Sequence, residues 1–435
     1  MDEITNWGKY PKIRGELKTC QTQEEVIGQI KQAAVLTPRG NGRCYGHSAL
    51  GTKMISVLPM NRILYFDEQQ GMITVEAGLL IDQLLHFIIP RGFILPVLPG
   101  SKFISLGGAV AANVHGKNHT WAGALAEWIV SLKVINASGH VVHCSPQTSP
   151  DFFAQTIGGM GLSGVIIEVS LQLRPIETAY FVQEISTCSN LSETLLLLEK
   201  KAAQSYAVAW VDGLQKGERL GRSLLTSGQA LGFEAAPPDL QKQALKVHPP
   251  PSLNIPFDQP AFLLNSWSIR LFNTLYFHWK RRSTEQQIVH YNTFFYPLDA
   301  IRNWNRLYGE KGLLQYQFVL PFANAEAGLR QIFTAIQAAN CTPNLCVLKA
   351  MGKESTHAAP ISFPMPGFTL AVDFKRSQKT LQLLERLDEM VIQHGGRVYL
   401  AKDARLAKAQ FKAMYPQVFR HPQLFQSLQS IQLAI

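Results

Sequence analysis

Apolar residues along the chain follow two periods, and the switches between them mark the elements. Thr22-Gln-Glu-Glu25 places a capping hydroxyl three positions ahead of a glutamate, and Val26, Ile30 and Ala33 then repeat at helical spacing. A helix is predicted there. Val35-Leu36 predicts a short strand, and PRGNGRCYGHS (38–48) a glycine-rich loop. Met72 to Ala77 alternates with a period of two and predicts a strand; Ile81, Leu84, Leu85 and Ile88 return to the helical period. SLKVINASGHVVHC (131–144) predicts a hairpin turning at Asn136 to Gly139.

Between about 235 and 285 the pattern is less regular. A proline run, Pro249-Pro250-Pro251, precedes FLLNSWSIRLFNTLYFHWKRR (262–282), which is aromatic throughout and ends in cations. Such a segment suits a flexible loop or lid with an interfacial second half, or a buried helix with a basic end. Order returns beyond it. LQYQFVLP (314–321), LCVLKAMG (345–352), FTLAVDF (368–374) and RVYLAKD (397–403) predict strands. AEAGLRQIFTAIQAAN (325–340) and KTLQLLERLDEMVIQHGG (379–396) predict helices, the second stopped by Gly395-Gly396. Strand-helix-strand twice over is the split βαβ pattern of a ferredoxin-like sheet with helices on one face. The fold class is α+β.

Composition narrows the function. The chain has 435 residues, 46% of them hydrophobic, which suffices for two or three domains with sizeable cores. Its net charge of +10 suits an anionic membrane surface, a phosphorylated ligand or nucleic acid. The cations are scattered apart from His278-Trp279-Lys280-Arg281-Arg282, and neither zinc-finger spacing nor an aromatic RNA-binding strand occurs, so nucleic acid is not expected as a partner. The six cysteines make no C-x-x-C pair, and the chain opens MDEITNWGKYPKIRGE, without a secretory apolar run. Free thiols in a reducing cytoplasm are expected. No run of about 18 uninterrupted apolar residues exists to span a bilayer.

Candidate chemistry clusters in five places. The loop Pro38 to Gly46 can turn several backbone N–H groups toward one anion, although it has neither the Walker A nor the dinucleotide-fingerprint spacing. Gly107-Gly108, with Ala109, Ala111 and Ala112, removes side-chain bulk so that a ligand or another backbone can lie close. Gly158-Gly159-Met160-Gly161-Leu162-Ser163-Gly164 repeats that signal. Three such patches favour a long ligand with a pyrophosphate. Fourth, a period of two puts Gln315 and Gln317 on one face of their strand, Val347 and Lys349 on one face of theirs, and Thr369, Ala371 and Asp373 on one face of a third. Fifth, Lys402 follows the last predicted strand; in a cleft its cation would oppose negative charge growing on a ligand. His115 and His119 are four apart, but Gly116 and Asn118 argue against a helix and no third ligand is evident, so no metal is expected. Ser163 is not in a nucleophile-elbow pattern.

Taken in order, GRCYGHS, VLPGSKFISLGGAVAANVHGKNH, IGGMGLSG, LQYQFVLP, SFPMPGF and LAKDAR resemble the flavin-oxidase subunits of the decaprenylphosphoryl-β-D-ribose 2′-epimerases. These belong to the vanillyl-alcohol-oxidase-like superfamily, with its PCMH-type FAD-binding domain. The resemblance covers nearly the whole chain. It implies a two-part FAD-binding domain, residues 1–178 and 397–435, with a substrate domain at 179–396. It implies FAD contacts from Gly40, Asn41, Gly42, Arg43, Cys44, Tyr45, Gly46, Pro99, Gly100, Ser105, Gly107, Gly108, Asn113, His115, Gly116, Gly123, Gly159, Gly161, Gly164 and Lys402. Many relatives carry a flavin-linked histidine where Tyr45 stands, so the resemblance implies non-covalent FAD, with His47 pointing elsewhere. It assigns the pocket to His115, Lys117, Tyr296, Gln315, Gln317, Lys349, Thr369 and Lys402. Of these, Lys402, His115, Lys117 and Tyr45 would act catalytically.

The activity implied is hydride removal from the 2′-carbinol of a polyprenyl-phosphate pentose, giving a keto sugar that a separate NAD(P)H-dependent ketoreductase completes. The alternative is oxidation of a soluble alditol or aldonolactone. The first reading implies a cytoplasmic protein in peripheral contact with the membrane. Two positions depart from the best-known members: Ala371 stands for a cysteine and Thr369 for an asparagine.

Overall fold

The computed structural model describes residues 2–249, 252–260, 262–281, 286–417 and 423–435. Pro250 and Pro251 of the proline run and Arg282 of the basic run lie outside the described residues.

The amino-terminal part is α+β. Its first helix, Gln23–Gln32, starts where the capping pattern places it: Thr22 Oγ1 accepts from the Glu25 N–H at 3.2 Å, and the Glu25 carboxylate accepts from the Gln21 N–H at 2.7 Å. Val26 and Ile30 bury its inner face. The short strand expected at Val35-Leu36 lies two residues later, at Thr37–Pro38, because Leu36 is taken by a bridge to Phe425. That strand belongs to a four-stranded sheet with Asp2–Thr5, Lys12–Thr19 and Lys53–Ser56. A five-stranded antiparallel sheet sits beside it, in the order Ile63–Asp67, Met72–Glu76, Val165–Gln172, Ile129–Ile135, Val141–Cys144. The 129–144 pair is the predicted hairpin. Asn136 closes its turn, with Oδ1 accepting from the Ser138 and His140 N–H groups.

One eight-stranded sheet dominates the rest. Its order is Gln287–His290, Tyr180–Cys188, Ser223–Ala230, Tyr206–Val211, Pro343–Met351, Gly367–Lys375, Leu313–Leu320, Arg397–Val398. Every neighbouring pair is antiparallel. Numbered along the chain, each set of four has the ferredoxin-like order 4-1-3-2, and the two sets meet through their second strands, where Trp210 pairs with Val347. The second set is the predicted split βαβ unit.

Helices Leu191–Ala202, Phe322–Ala338 and Gln378–Gln393 cover one face, in a single apolar core with Ala207, Ala209, Leu314, Phe318, Leu348 and Leu370. The expectation that all helices share one face needs correction. Helix Ser266–Lys280 packs on the opposite face, against the alternate residues Trp210, Leu224 and Ile185. Of the two readings left open for the end of 235–285, a helix rather than a loop forms there, with only Ile269, Asn273 and Phe277 of it buried. Asn265 caps it by accepting from the Trp267 and Ser268 N–H groups.

The last predicted strand is shorter than the pattern suggests. Pairing stops after Arg397–Val398 and a final bond from the Tyr399 N–H to the Gln317 carbonyl, 2.8 Å. The chain then turns tightly, the Lys402 N–H bonding the Tyr399 carbonyl at 2.9 Å. The turn brings Lys402 to the sheet face that carries no helix in this half.

Candidate functional site

One elongated cavity runs from the glycine-rich loops to that bare sheet face. At the loop end, Gly40 to Cys44, Pro99, Gly100, Ser105, Gly107, Gly108, Gly161 and Gly164 line it, with Ala77, Gly78, Ala111 and Ala112. The fit is close where side chains are missing. A Cβ at Gly107 would meet the Ala77 Cβ at 3.1 Å, and one at Gly40 would strike the Ser105 hydroxyl. Ser105 caps helix Leu106–Ala111, whose first turn faces the cavity through Gly107 and Gly108. A wall of small residues and backbone amides can take a pyrophosphate, and the narrow remainder can take a flat ring. The residues present therefore fit FAD.

At the other end Tyr45, His115, Gln315, Gln317, Lys349 and Lys402 meet around the cavity, with Val347 and Ala371 between them on the sheet. Their strands explain the convergence. Gln317 pairs with Ala371, and Ala371 with Val347, so inward-facing residues of three strands stand side by side. The hydrogen bonds there have a direction. The Thr369 hydroxyl donates to the Phe318 carbonyl at 2.9 Å, so it can only accept from Gln317 Nε2, at 3.2 Å. That fixes the amide, whose other N–H points at His115 Nε2, 3.0 Å away. His115 Nε2 is then the acceptor, and the proton sits on Nδ1, which has no protein partner. Burial, with Lys349 beside it, drives the His115 pKa well below the ordinary range, so the ring is neutral.

The lysines are cations under strain from burial. Lys349 has no carboxylate partner among the described residues, and burial lowers its pKa to about 8. Burial lowers Lys402 to about 7, while Asp373 favours its charge. Lys402 Nζ lies 3.9 Å from the centre of the Tyr45 ring. Asp373 is 1% exposed, accepts from Gln315 Nε2 at 2.5 Å and from the Tyr308 hydroxyl at 3.5 Å, and is pushed up to about 6 by burial.

Several expected residues lie off the cavity wall. Thr369 works behind Gln317 rather than on a ligand. Lys117 is turned away, its ammonium held by the Phe294 carbonyl and 4.6 Å from that residue's ring centre. Tyr296 is buried in the apolar core with its hydroxyl unpartnered. Asn113 ties Ser362 to the Ala126 N–H. Gly46, Gly116, Gly123 and Gly159 serve packing: a Cβ at Gly46 would collide with the Asp403 carbonyl, one at Gly116 would sit 3.0 Å from the Leu98 carbonyl, Gly123 has φ +69°, and Gly159 abuts the Gln155 carbonyl. His47 also lies off the cavity, its Nε2 bonded to Gln432 Oε1 at 2.9 Å.

Sequence reasoning missed Trp7, Asp299, Trp304 and Tyr399, which complete the wall. Arg43 stacks 4.1 Å over the Trp7 ring, and Asp299 accepts the Lys102 backbone N–H at 2.9 Å. Trp7, Asp299 and Trp304 come from non-periodic segments, and only the aromatic density around 296–308 hinted at the last two; Tyr399 lies in the predicted strand 397–403, whose early end turns it onto the wall.

Comparison with known proteins points to the same cofactor. A family described as "FAD binding domain" matches residues 17–145. The chain is 33% identical over 425 residues to decaprenylphosphoryl-beta-D-ribose oxidase of Mycolicibacterium smegmatis, covering 95% of this chain and 92% of that one. Mouse L-gulonolactone oxidase is 28% identical over 48% of each chain. The mitochondrial D-2-hydroxyglutarate dehydrogenase of Arabidopsis thaliana is 28% identical over 45% of this chain and 38% of its own. This chain belongs to the decaprenylphosphoryl-β-D-ribose oxidase family of FAD-dependent oxidoreductases.

Proposed function

We propose that the protein oxidises the 2′-carbinol of a polyprenyl-phosphate-linked pentose to the 2-keto sugar. Residues 1–178 with the tail from 397 form a PCMH-type FAD-binding domain, and 179–396 form the substrate domain. One observation carries the reading: near-full-length similarity to an oxidase of that substrate class, joined to a cavity that puts His115, Gln317, Gln315, Lys349 and Lys402 around one end.

Bound FAD supplies the two-electron acceptor for the carbinol hydride. The chain's residues orient the sugar and manage charge. His115 Nδ1–H and Lys349 Nζ are free to donate to sugar oxygens. Lys402, kept protonated by Asp373, opposes the negative charge that accumulates during oxidation. The apolar neighbours Val347, Leu345 and Ala371 keep water away from these cations. Tyr45 cannot form the histidyl link of other superfamily members, so FAD is held non-covalently. A separate NAD(P)H-dependent reductase consumes the keto sugar, and the enzyme works in the cytoplasm at the membrane that carries its substrate. Among the described residues no helix is long and apolar enough to cross a membrane.

Anaerobic bleaching of the enzyme's flavin by a panel of lipid-linked pentoses, aldonolactones and free alditols tests this. Bleaching by the lipid-linked pentose supports it; bleaching by lactones or alditols alone refutes it.

A further inference from the structure

Helix Ser266–Lys280 is apolar on two sides. Ile269, Asn273 and Phe277, four apart, face the sheet and are buried. Trp267, Leu271, Leu275 and Trp279, also four apart, form a second stripe about 200° around the axis. They are 71%, 45%, 62% and 64% exposed. Phe272 on the same helix is exposed as well, as are Phe262, Leu263, Phe257 and Leu253 in the segment leading into it. The exposed large apolar side chains of this chain are concentrated here. An exposed apolar stripe of this kind marks an interaction site.

The helix cannot roll to hide that stripe. Asn273 Nδ2 donates to Asp212 Oδ1 at 2.8 Å, Arg222 pairs with the other Asp212 oxygen at 2.7 Å, and the Arg222 guanidinium covers the Phe277 ring at 4.2 Å. The inner face is locked and the outer face stays out.

Charge selects the occupant. Residues 262–281 contain no aspartate or glutamate, and they carry Arg270, Lys280 and Arg281. Among the described residues none of these three cations pairs with a carboxylate. Tryptophans near both ends, an aliphatic stripe between them and unpaired cations are the chemistry of a helix lying in the headgroup plane of an anionic bilayer. Position agrees. Tyr276 packs 5.0 Å from Trp210, whose strand partner Val347 lines the cavity. Leu264, just before the helix, packs with Tyr45 and Trp304, which line it as well.

We infer that helix 266–280 seats the enzyme in the surface of an anionic membrane, beside the entrance through which a lipid-linked sugar reaches the cavity. This deepens the reading above and rests on it for the substrate, not for the binding. The test is sedimentation of the flavin-loaded, full-length protein with phosphatidylglycerol/phosphatidylcholine vesicles and with phosphatidylcholine vesicles alone. The parent should partition into the anionic vesicles. The quadruple variant Trp267→Glu, Leu271→Glu, Leu275→Glu, Trp279→Glu should lose more than about tenfold of that partitioning. The milder Arg270→Gln/Lys280→Gln pair, which leaves the stripe intact, should reduce only the preference for anionic lipid. Both should keep the flavin and its bleaching by a detergent-dispersed lipid-linked pentose at the parental rate. Absence of parental binding to anionic vesicles overturns the inference, as does equal binding by the quadruple variant. A parent that is dimeric by light scattering and made monomeric by the quadruple variant overturns it in favour of a second copy on the patch. Vesicle binding without bleaching by any lipid-linked pentose keeps the membrane seat and refutes the substrate instead.

Discussion

Replacing Asp373 by asparagine removes the one carboxylate that favours the Lys402 cation, at the cost of the long 3.5 Å bond from the Tyr308 hydroxyl. Asparagine has the same shape, and its carbonyl oxygen can still accept from Gln315 Nε2, which now bonds the carboxylate at 2.5 Å. The groups acting on Lys402 are few. Burial lowers its pKa to about 7, Lys349 pushes the same way, and Asp373 and Cys44 oppose them. Without the carboxylate the protonated lysine loses its main support, so its pKa falls further. An opposite charge at close range is worth about 1–3 pKa units, or roughly 1.4–4 kcal/mol. If the cation is the working form, single-turnover bleaching in the parent declines as pH rises through about 7. In Asp373→Asn the same decline should move about 1–3 units toward acid. The variant should then be about fivefold to several-hundredfold slower at pH 7 and recover below about pH 6 to 4, according to the size of the shift. The assay is anaerobic stopped-flow bleaching across pH, with flavin content measured on each sample, and Lys402→Ala as the flavin-retaining control that loses most turnover at every pH. A limb that stays in place or moves toward alkali would show that Asp373 does not set the charge of Lys402.

Thr369→Val should leave one Gln317 N–H unpaired in a buried site, at about 1–3 kcal/mol, and free the amide to turn; kcat/KM should fall about tenfold, with Thr369→Ser restoring it, and equal activity of the two variants would refute the directed chain to His115. Gly46→Ala forces a methyl into the Asp403 backbone and should destabilise the fold by at least ~1–3 kcal/mol; a parental melting temperature would refute that packing. Acid should release the flavin from the parent and from Tyr45→Phe alike, read as absorbance left with the precipitated protein; flavin that stays with the parent would refute non-covalent attachment.

The sheet face was readable because a strand's period of two is strict. Gln315, Gln317 and Lys349 alternate with leucines and aromatics that can only face a core, so their side was determined before their neighbours were known. Thr369 shows the limit of that rule. The period gives the face, yet whether a side chain touches a ligand or holds the residue that does depends on the adjacent strand. Glycines are ambiguous for a related reason. Gly107 and Gly46 both lack a Cβ because something lies close, a cavity wall in one case and the Asp403 backbone in the other. Asp299 stayed hidden because 197 residues separate it from Lys102, whose backbone N–H it accepts, and Trp304 because the rings it packs against, Trp7 and Tyr45, lie far away in the sequence, with no periodic signal around either residue. The helix at 266–280 was ambiguous because it is apolar on two sides, and a single-sided pattern is what periodicity detects.

The two βαβ units join edge to edge, and the strands of the later one border the reactive end of the cavity. Its sibling carries the outward-facing tryptophans instead. On the inference that this stripe seats the enzyme in a membrane surface, substitutions on the earlier unit would re-tune that seat while the later unit keeps its residues in register.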